Sequence, residues 1–580
     1  MARKFDFSCD RFLGLNYDRE GEKRLSSGES PDMVNFSVTE SYKLKKREGY
    51  TVLSRQGEGG RGVWCGELKG GERAIFVCAD TVKEYYNGAV VDIGKLESTS
   101  GQVDFLRFSD TLYIFDGVKI KTWDTETFSD IEPYRPLVAV STTPDGAGTA
   151  FEEKNLLTGM MRQTFTMNST LPTVHLAVKE LDSVDYVKAG GRFIEKKSYS
   201  VDLERGTVTL PNEYNDYDII DGIEVGFTKS DGREGDIHRM KHAVVFGGEN
   251  DTRIFLWGDE SEPCILRYSG VHDGVSGMDY FPENHFNKIG ARSGIVSVLR
   301  HYDRLVILCH GEAFYSYMET ASSDGLDYEI FPVRPLSDTV GAYASALVDN
   351  FPVTLDRGTL YRWRSTAIRD ERYAEDIGGR IKAGMKDWDF ENVGLYDSEM
   401  DELYIWCGEE IFVYNYRLDV FYLWRGIAPV GFGRLDRDTL FQRADGSLCR
   451  LFGGRTDDGD AVRAEWSTSY LELADGIKNL YRIELETVPE LDSVAELSWV
   501  SDHGQTGRCS FTSRLRRFSF DRVDFARLGF ETSLAEKPLS TRVKHKRFEK
   551  LKLRLENSYP ESSLHISGVR LSGIITDKKR

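Results

Sequence analysis

The sequence predicts an all-β fold, and three observations predict it. Aromatic usage is high, with 28 Tyr and 32 Phe beside 55 Gly and only 15 Pro, a composition suited to short strands joined by tight turns. Alternating apolar segments punctuated by a Gly-containing turn recur along the chain. Helical periodicity is almost absent; the best candidate, Ala367 to Met385, is short and is interrupted by Gly378-Gly379.

In chain order, residues 1–50 carry several charges and few long apolar runs. They are expected to form an N-terminal arm that orders on assembly, with a strand completing the first blade as the alternative. Residues 51–150 contain VKEYYNGAVVDIG and LYIFDGVKIKTW, which place Asn87-Gly88 and Asp116-Gly117 between alternating segments. Such dipeptides supply the positive φ angles of two-residue hairpin turns. Residues 151–239 break this grammar with TVHLAVKELDSVDYVKAGG, YSVDLERGTVTLP and DIIDGIEVGFTK, the six or so strands of an inserted small β-sandwich. Residues 240–462 return to hairpins at Arg357-Gly358, Cys407-Gly408 and Asp445-Gly446, turns 50 and 38 residues apart. That spacing is close to the roughly 40–50 residues of a propeller blade, so 51–150 and 240–462 are predicted as blades of a β-propeller. Residues 463–580 change again, to long alternating strands such as NLYRIELETV and KLKLRLENS. They predict a C-terminal β-domain, or the strands that close the propeller.

Charge is unevenly spread. The chain has 75 Lys+Arg against 94 Asp+Glu, a formal −19, yet Arg508 to Arg580 holds 18 basic and 8 acidic residues, a net of +10 that leaves −29 on the remainder. Asymmetry of this kind marks a partner surface or nucleic-acid contact, against the plainer alternative of a solvated strand face. The basic residues lie on predicted strands without a DNA-binding motif, which argues against readout of DNA sequence. No window approaches the roughly 18–20 apolar residues of a membrane helix. MARKFDFSCDRF has no apolar stretch behind its basic residues, so no secretory leader is expected. The eight cysteines are scattered without a CxxC pair and are expected as reduced, largely buried thiols.

The common catalytic constellations are missing: there is no GxxxxGK[ST] loop, no GxGxxG after a strand and no GxSxG elbow. His238 and His242 are four apart but lack the glutamate of HExxH. Asp457, Asp458 and Asp460 in TDDGDA lack the spacing and closing Glu of a calcium loop and predict a solvated turn. SSDGLDYEIF, Ser322 to Phe331, weakly resembles the turn motif of sialidase-type propellers without its downstream Trp. YNYRLDVFYLW, Tyr414 to Trp424, alternates as packed sheet residues do rather than as a sugar platform. No catalytic residue, metal or cofactor is expected.

Gly14-Leu15-Asn16, Pro31 with Asn35, and the basic stretch closing in Arg47 to Tyr50 resemble the opening of phage tail proteins of the stabilisation or nozzle type. FGGENDTRIFLWGD, MDYFPENHFNKIG, FPVRPLSDTVG, RDERYAEDI and EIFVYNYRLDVFYLW extend the resemblance to most of the chain. It implies a non-enzymatic virion protein of a tailed bacteriophage: a propeller forming a ring, usually of six copies. By the same resemblance, the ring prolongs the DNA channel near the portal and its adaptor, retains packaged DNA and attaches distal tail parts. Its place is then the virion, after synthesis in a bacterial cytoplasm. The runner-up is a receptor-binding or glycan-cleaving propeller. Candidate partner contacts are Arg3, Lys4, Lys45, Lys46 and Arg47 in the arm, and Arg542, Lys544, Lys546, Arg547, Lys550, Lys552 and Arg554 in the basic strands. The +10 and −29 portions would complement each other between ring neighbours, and an acidic channel wall would let DNA slide.

Overall fold

The computed structural model describes residues 3–17, 25–57, 59–167, 172–214, 219–248, 251–290, 294–301, 304–309, 312–318, 328–333, 341–356, 358–365, 372–471, 473–488, 492–514 and 536–576. Among them the regular structure is strand, with short 3-10 turns and no α-helix. The chain splits into two compact units. One comprises Met1–Glu67, Glu72–Asp92 and Leu336–Arg580; the other comprises Leu68–Gly71 and Ile93–Pro335.

Seven antiparallel runs of four strands are described. In the second unit they start at Asp104, His242 and Ile295. In the first unit they start at Gly60, Ser345, Val393 and Pro429. The last of these has only three strands of its own, Pro429–Leu435, Asp438–Arg443 and Leu448–Gly454. The N-terminal strand Gly49–Ser54 supplies the fourth, with Tyr50 opposite Leu451 and Gly49 opposite Gly454. Gly49 is required there, because a Cβ would lie 1.9 Å from the Thr456 carbonyl oxygen.

Turn chemistry explains several joints. Asn87 (φ 49°) and Gly88 (φ 81°) form the expected two-residue turn between Thr81–Tyr86 and Ala89–Lys95. At Cys407-Gly408 the turn slips by one residue: Cys407 pairs with Glu410, leaving Gly408-Glu409 as the tip. Asp116-Gly117 is not a two-residue hairpin. The Asp116 carboxylate accepts the Val118 and Lys119 amides at 2.9 and 2.7 Å, and this Asx turn widens the connection before Lys121–Trp123. Of the Arg357-Gly358 turn, only Gly358 lies within the described residues. In the predicted helical window, Arg372–Asp376 is a strand and Lys382–Met385 a 3-10 turn.

Within the second unit, two sheets enclose their own core between Leu137 and Thr228. Six strands in the order Thr149–Ala150, Leu137–Thr142, Met160–Phe165, Ile223–Thr228, Ser183–Ala189, Arg192–Phe193 face a three-stranded sheet around Thr207–Thr209. Fully buried Phe165, Val174, Val187, Val208, Val225 and Phe227 fill the space between. Its first strand starts ahead of residue 151.

In the first unit a β-sandwich joins both chain ends. One sheet orders Phe36–Val38, Leu44–Lys46, His565–Thr576, Ile477–Thr487 and Lys537–Phe548, and Arg3–Cys9 also pairs with His565–Thr576. The opposing strands are Asp32–Val34, Ala464–Ser467, Leu551–Asn557, Asp492–Ser501 and Thr506–Arg514. A parallel bridge of Val34 with Leu423 makes them continuous with the four strands from Val393, nine in all. Of residues 1–50, expected as an arm ordering on assembly, the strands Arg3–Cys9, Asp32–Val34, Phe36–Val38 and Leu44–Lys46 thus pair within the chain. The physical reason is the alternation in Arg3–Cys9, where Phe5 and Cys9 are buried and Lys4 and Asp6 exposed. That pattern is short and heavily charged, but it is complete once a partner edge is present.

Candidate functional site

A polar cleft of about 1040 Å³ opens in the first unit. Asn35, Tyr50, Arg425, Arg443, Asp457, Glu465, Arg554 and Glu556 line it, from segments far apart in the chain. Arg47 ties three of these residues together. The side chain is fully buried, and each guanidinium nitrogen is bonded: Nε to Asn35 Oδ1 at 2.8 Å, one Nη to Asp457 Oδ1 at 2.9 Å, the other to Asp457 Oδ2 at 2.5 Å and to the Arg425 carbonyl at 2.8 Å. This fork geometry is one that arginine supplies and lysine does not.

The wall is ionic. Arg554 reaches Glu465 at 2.6 Å and Glu556 at 2.7 Å. Burial first, then the neighbouring Asp32 carboxylate, pushes the Glu465 carboxyl up, against the pull of Arg554. Arg443 sits 5.7 Å from the Tyr50 ring centroid, within cation–π range. The arrangement can hold a polar ligand by paired hydrogen bonds.

TDDGDA belongs to this cleft as a hairpin. Thr456–Asp457 pairs with Asp460–Ala461 across Asp458 (φ 53°) and Gly459 (φ 97°), the geometry that Asp-Gly favours. Asp457 is held by Arg47 and Asp458 by Arg55. Among the described residues no acidic, His and Cys cluster could hold a metal ion. His242 Nδ1 meets Asp104 Oδ2 at 2.9 Å while His238 Nδ1 faces the Ile120 amide at 3.4 Å, so the two rings serve different partners. Ser322 to Asp327 of the sialidase-like stretch lie outside the described residues. In Tyr414 to Trp424, Tyr414 stacks on Phe421 at 4.4 Å, and Tyr422 and Trp424 are buried.

The twelve candidate contacts divide. Lys46 and Arg47 are each only 4% exposed and are not surface contacts. Lys46 Nζ donates to Asn557 Oδ1 at 2.8 Å and to the Ser562 carbonyl at 2.9 Å. Burial, chiefly, lowers its pKa to about 8. A basic stretch in sequence does not reveal that two consecutive members turn inward. Lys45 is half-buried beside Glu48; Arg3 and Lys4 are exposed. Arg542, Lys544, Lys546, Arg547, Lys550 and Arg554 are exposed and Lys552 partly so, and only Arg554 lines the cleft. Sequence reasoning missed Asn35, Arg425, Arg443 and Glu465 as cleft residues. Their signal, charges at alternate strand positions, is readable only with the strand register.

Fold and cleft together define an all-β protein of serial four-stranded sheets with a polar, ion-paired hollow. No known protein family and no curated protein matches the chain. Solved structures give distant likenesses. A bacterial surface component of the Porphyromonas gingivalis type-IX secretion system, PorZ, has 11% identity over 73% of this chain and 43% of its own, at a TM-score of 0.33. An exo-β-1,3-galactanase of Phanerochaete chrysosporium has 6% identity over 91% of this chain and 100% of its own, at 0.24. Hsv2 of Kluyveromyces lactis has 8% identity over 70% and 91%, at 0.27. These scores are too low to carry a shared activity.

Proposed function

We propose that this chain is a non-enzymatic structural protein of a tailed-phage virion. In this reading the four-stranded runs are propeller blades, and copies form a ring around the DNA path that attaches to portal or adaptor and to distal tail parts. One observation supports it: the residues that carry the resemblance do framework jobs. Gly14 takes φ +79°, and a Cβ there would lie 2.5 Å from the Phe421 carbonyl oxygen. Asn16 bonds Glu29 at 2.9 Å. Asn35 donates to the Arg463 carbonyl at 2.7 Å and accepts from Arg47 and from the Arg425 amide at 2.9 Å. A motif that locks distant strands suits a rigid assembly part. Light scattering behind size-exclusion chromatography, with electron micrographs of the same peak, tests it. Closed rings with a central hole are expected; a 65.9 kDa monomer that also fails to join portal or adaptor rings would overturn it.

The cleft favours one second reading, a receptor- or glycan-binding tail protein. Its volume and the Glu465–Arg554–Glu556 group suit a saccharide. A glycan array with the wild type and Arg554→Ala separates the readings: retention lost in the variant supports binding in the cleft, and no retention removes it.

A further inference from the structure

The two sheets of the first unit's sandwich lie back to back, with Trp499 and His545 meeting edge to face at 6.2 Å between them. Their outer faces carry different charge patterns. On one, the strand Lys537–Phe548 turns Arg542, Lys544 and Lys546 outward at alternate positions. No side-chain hydrogen bond or ion pair joins these three to another described residue. Arg482 stands directly opposite Arg542 on the adjoining strand. Two acids of this face are already engaged, Glu484 with Arg482 at 2.5 Å and Glu486 with Arg570 at 2.9 Å.

The other outer face sets a row of carboxylates beside the outward Arg508, Lys552 and Arg554. Glu465 is opposite Glu556, and Glu556 is opposite Glu496, a row of three carboxylates across three neighbouring strands. Asp32 adds a fourth beside Glu465. Arg554 serves two of them, and Glu496 has the Tyr559 hydroxyl at 2.5 Å. Like charges directly across a ladder destabilise it, so the Arg482–Arg542 pair, and whatever part of the glutamate row Arg554 leaves unoffset, carry repulsion that an opposite face would relieve. The geometry fits: three cations at alternate residues span about 13 Å along a strand, and three glutamates on adjacent strands span about 10 Å.

We propose that the basic outer face at Arg542, Lys544 and Lys546 docks on the Glu465–Glu556–Glu496 row of a second copy of this chain, head to tail. Because the faces point in opposite directions, each copy offers one of each, as a heterologous contact requires. Closure of the series into a ring rests on the reading above; the contact itself does not.

Sedimentation velocity on the full chain tests this, at about 50 mM and about 500 mM salt, between which the Debye length shrinks roughly threefold. Two charge-reversed proteins are compared: Arg542→Glu/Lys544→Glu/Lys546→Glu and Glu496→Lys/Glu556→Lys, each first shown by circular dichroism to keep the strand signature. Low-salt association of the wild type is expected to weaken at least about tenfold at high salt and in either variant alone. It should return when the variants are mixed, since each reversed face now complements the other. A wild type monomeric at low salt and high micromolar concentration, or association indifferent to both variants, would overturn the proposal. Rings that persist in both variants would keep the ring reading and sink this contact. Salt-sensitive open chains that both variants abolish would keep the contact and sink the ring. If the triple variant instead loses only retention of a mixed-sequence DNA oligonucleotide, the basic face binds phosphates and the proposal fails.

Discussion

Arg47 and Asp457, 410 residues apart in sequence, form a two-toothed ion pair at 2.9 and 2.5 Å, with the arginine side chain fully buried. It ties the strand entering the last four-stranded sheet to the hairpin after it. Removing one partner leaves a buried charge uncompensated, which typically costs about 3–5 kcal/mol. Asp457→Ala should therefore lower the melting temperature sharply, and Arg47→Met/Asp457→Leu should recover much of the loss. A double variant no better than Asp457→Ala would show that the other Arg47 bonds dominate.

Glu402 should give stability an inverse pH response. Its carboxyl accepts from the Tyr422 hydroxyl and, at 3.4 Å, from Tyr404. Burial pushes it from 4.5 to about 7. The folded state then holds a proton that the unfolded chain has released, so this contribution is full below pH 4.5 and is lost as pH rises to about 7, up to about 3 kcal/mol. Glu402→Gln should melt like the wild type at pH 4.5 and higher than it at pH 8. Equal melting differences at both pH values would refute the assignment.

Gly49→Ala should unseat the strand that completes the last four-stranded sheet. The added methyl meets backbone at 1.9 Å, and overpacking against an unyielding neighbour costs about 1–3 kcal/mol. Limited proteolysis should cut near residues 55–59 faster in the variant. An unchanged cleavage rate would mean that the strand shifts without loss.

Deleting residues 1–10 uncovers the edge of His565–Thr576 from Val569 to Ile575 and removes buried Phe5 and Cys9. Exposed strand edges recruit other chains. The truncated protein should therefore scatter light at concentrations where the full chain does not, and a clean, equally soluble product would count against this pairing.

What the sequence made legible follows the range of each interaction. Asn87-Gly88 is local chemistry, and it falls where its φ preference dictates. The Cys407-Gly408 turn moved by one residue because glycine fixes only that a turn occurs, while the strands' burial patterns fix its register. Phe5 and Phe7 alternate visibly, yet nothing nearby shows that their partner strand begins at His565. The cleft was hidden for the same reason, since Asn35, Arg425, Asp457 and Arg554 meet only after strands far apart in the chain have paired. Lys46 and Arg47 were misread as surface because charge predicts exposure unless acceptors are waiting, and those acceptors lie at Asn557, Ser562 and Asp457.

The pairing of Arg3 with Ile575 also sets an order in time. At roughly 5–20 residues per second of synthesis, the first strand is made on the order of a minute before its partner exists. Its sheet therefore cannot nucleate from the start of the chain. Contacts of such sequence separation form slowly, and throughout that interval the young N-terminus presents an unmatched edge to every other chain in the cell. Crowded translation of many copies is thus the condition under which this protein is most exposed to misassembly, before any partner of the mature form is met.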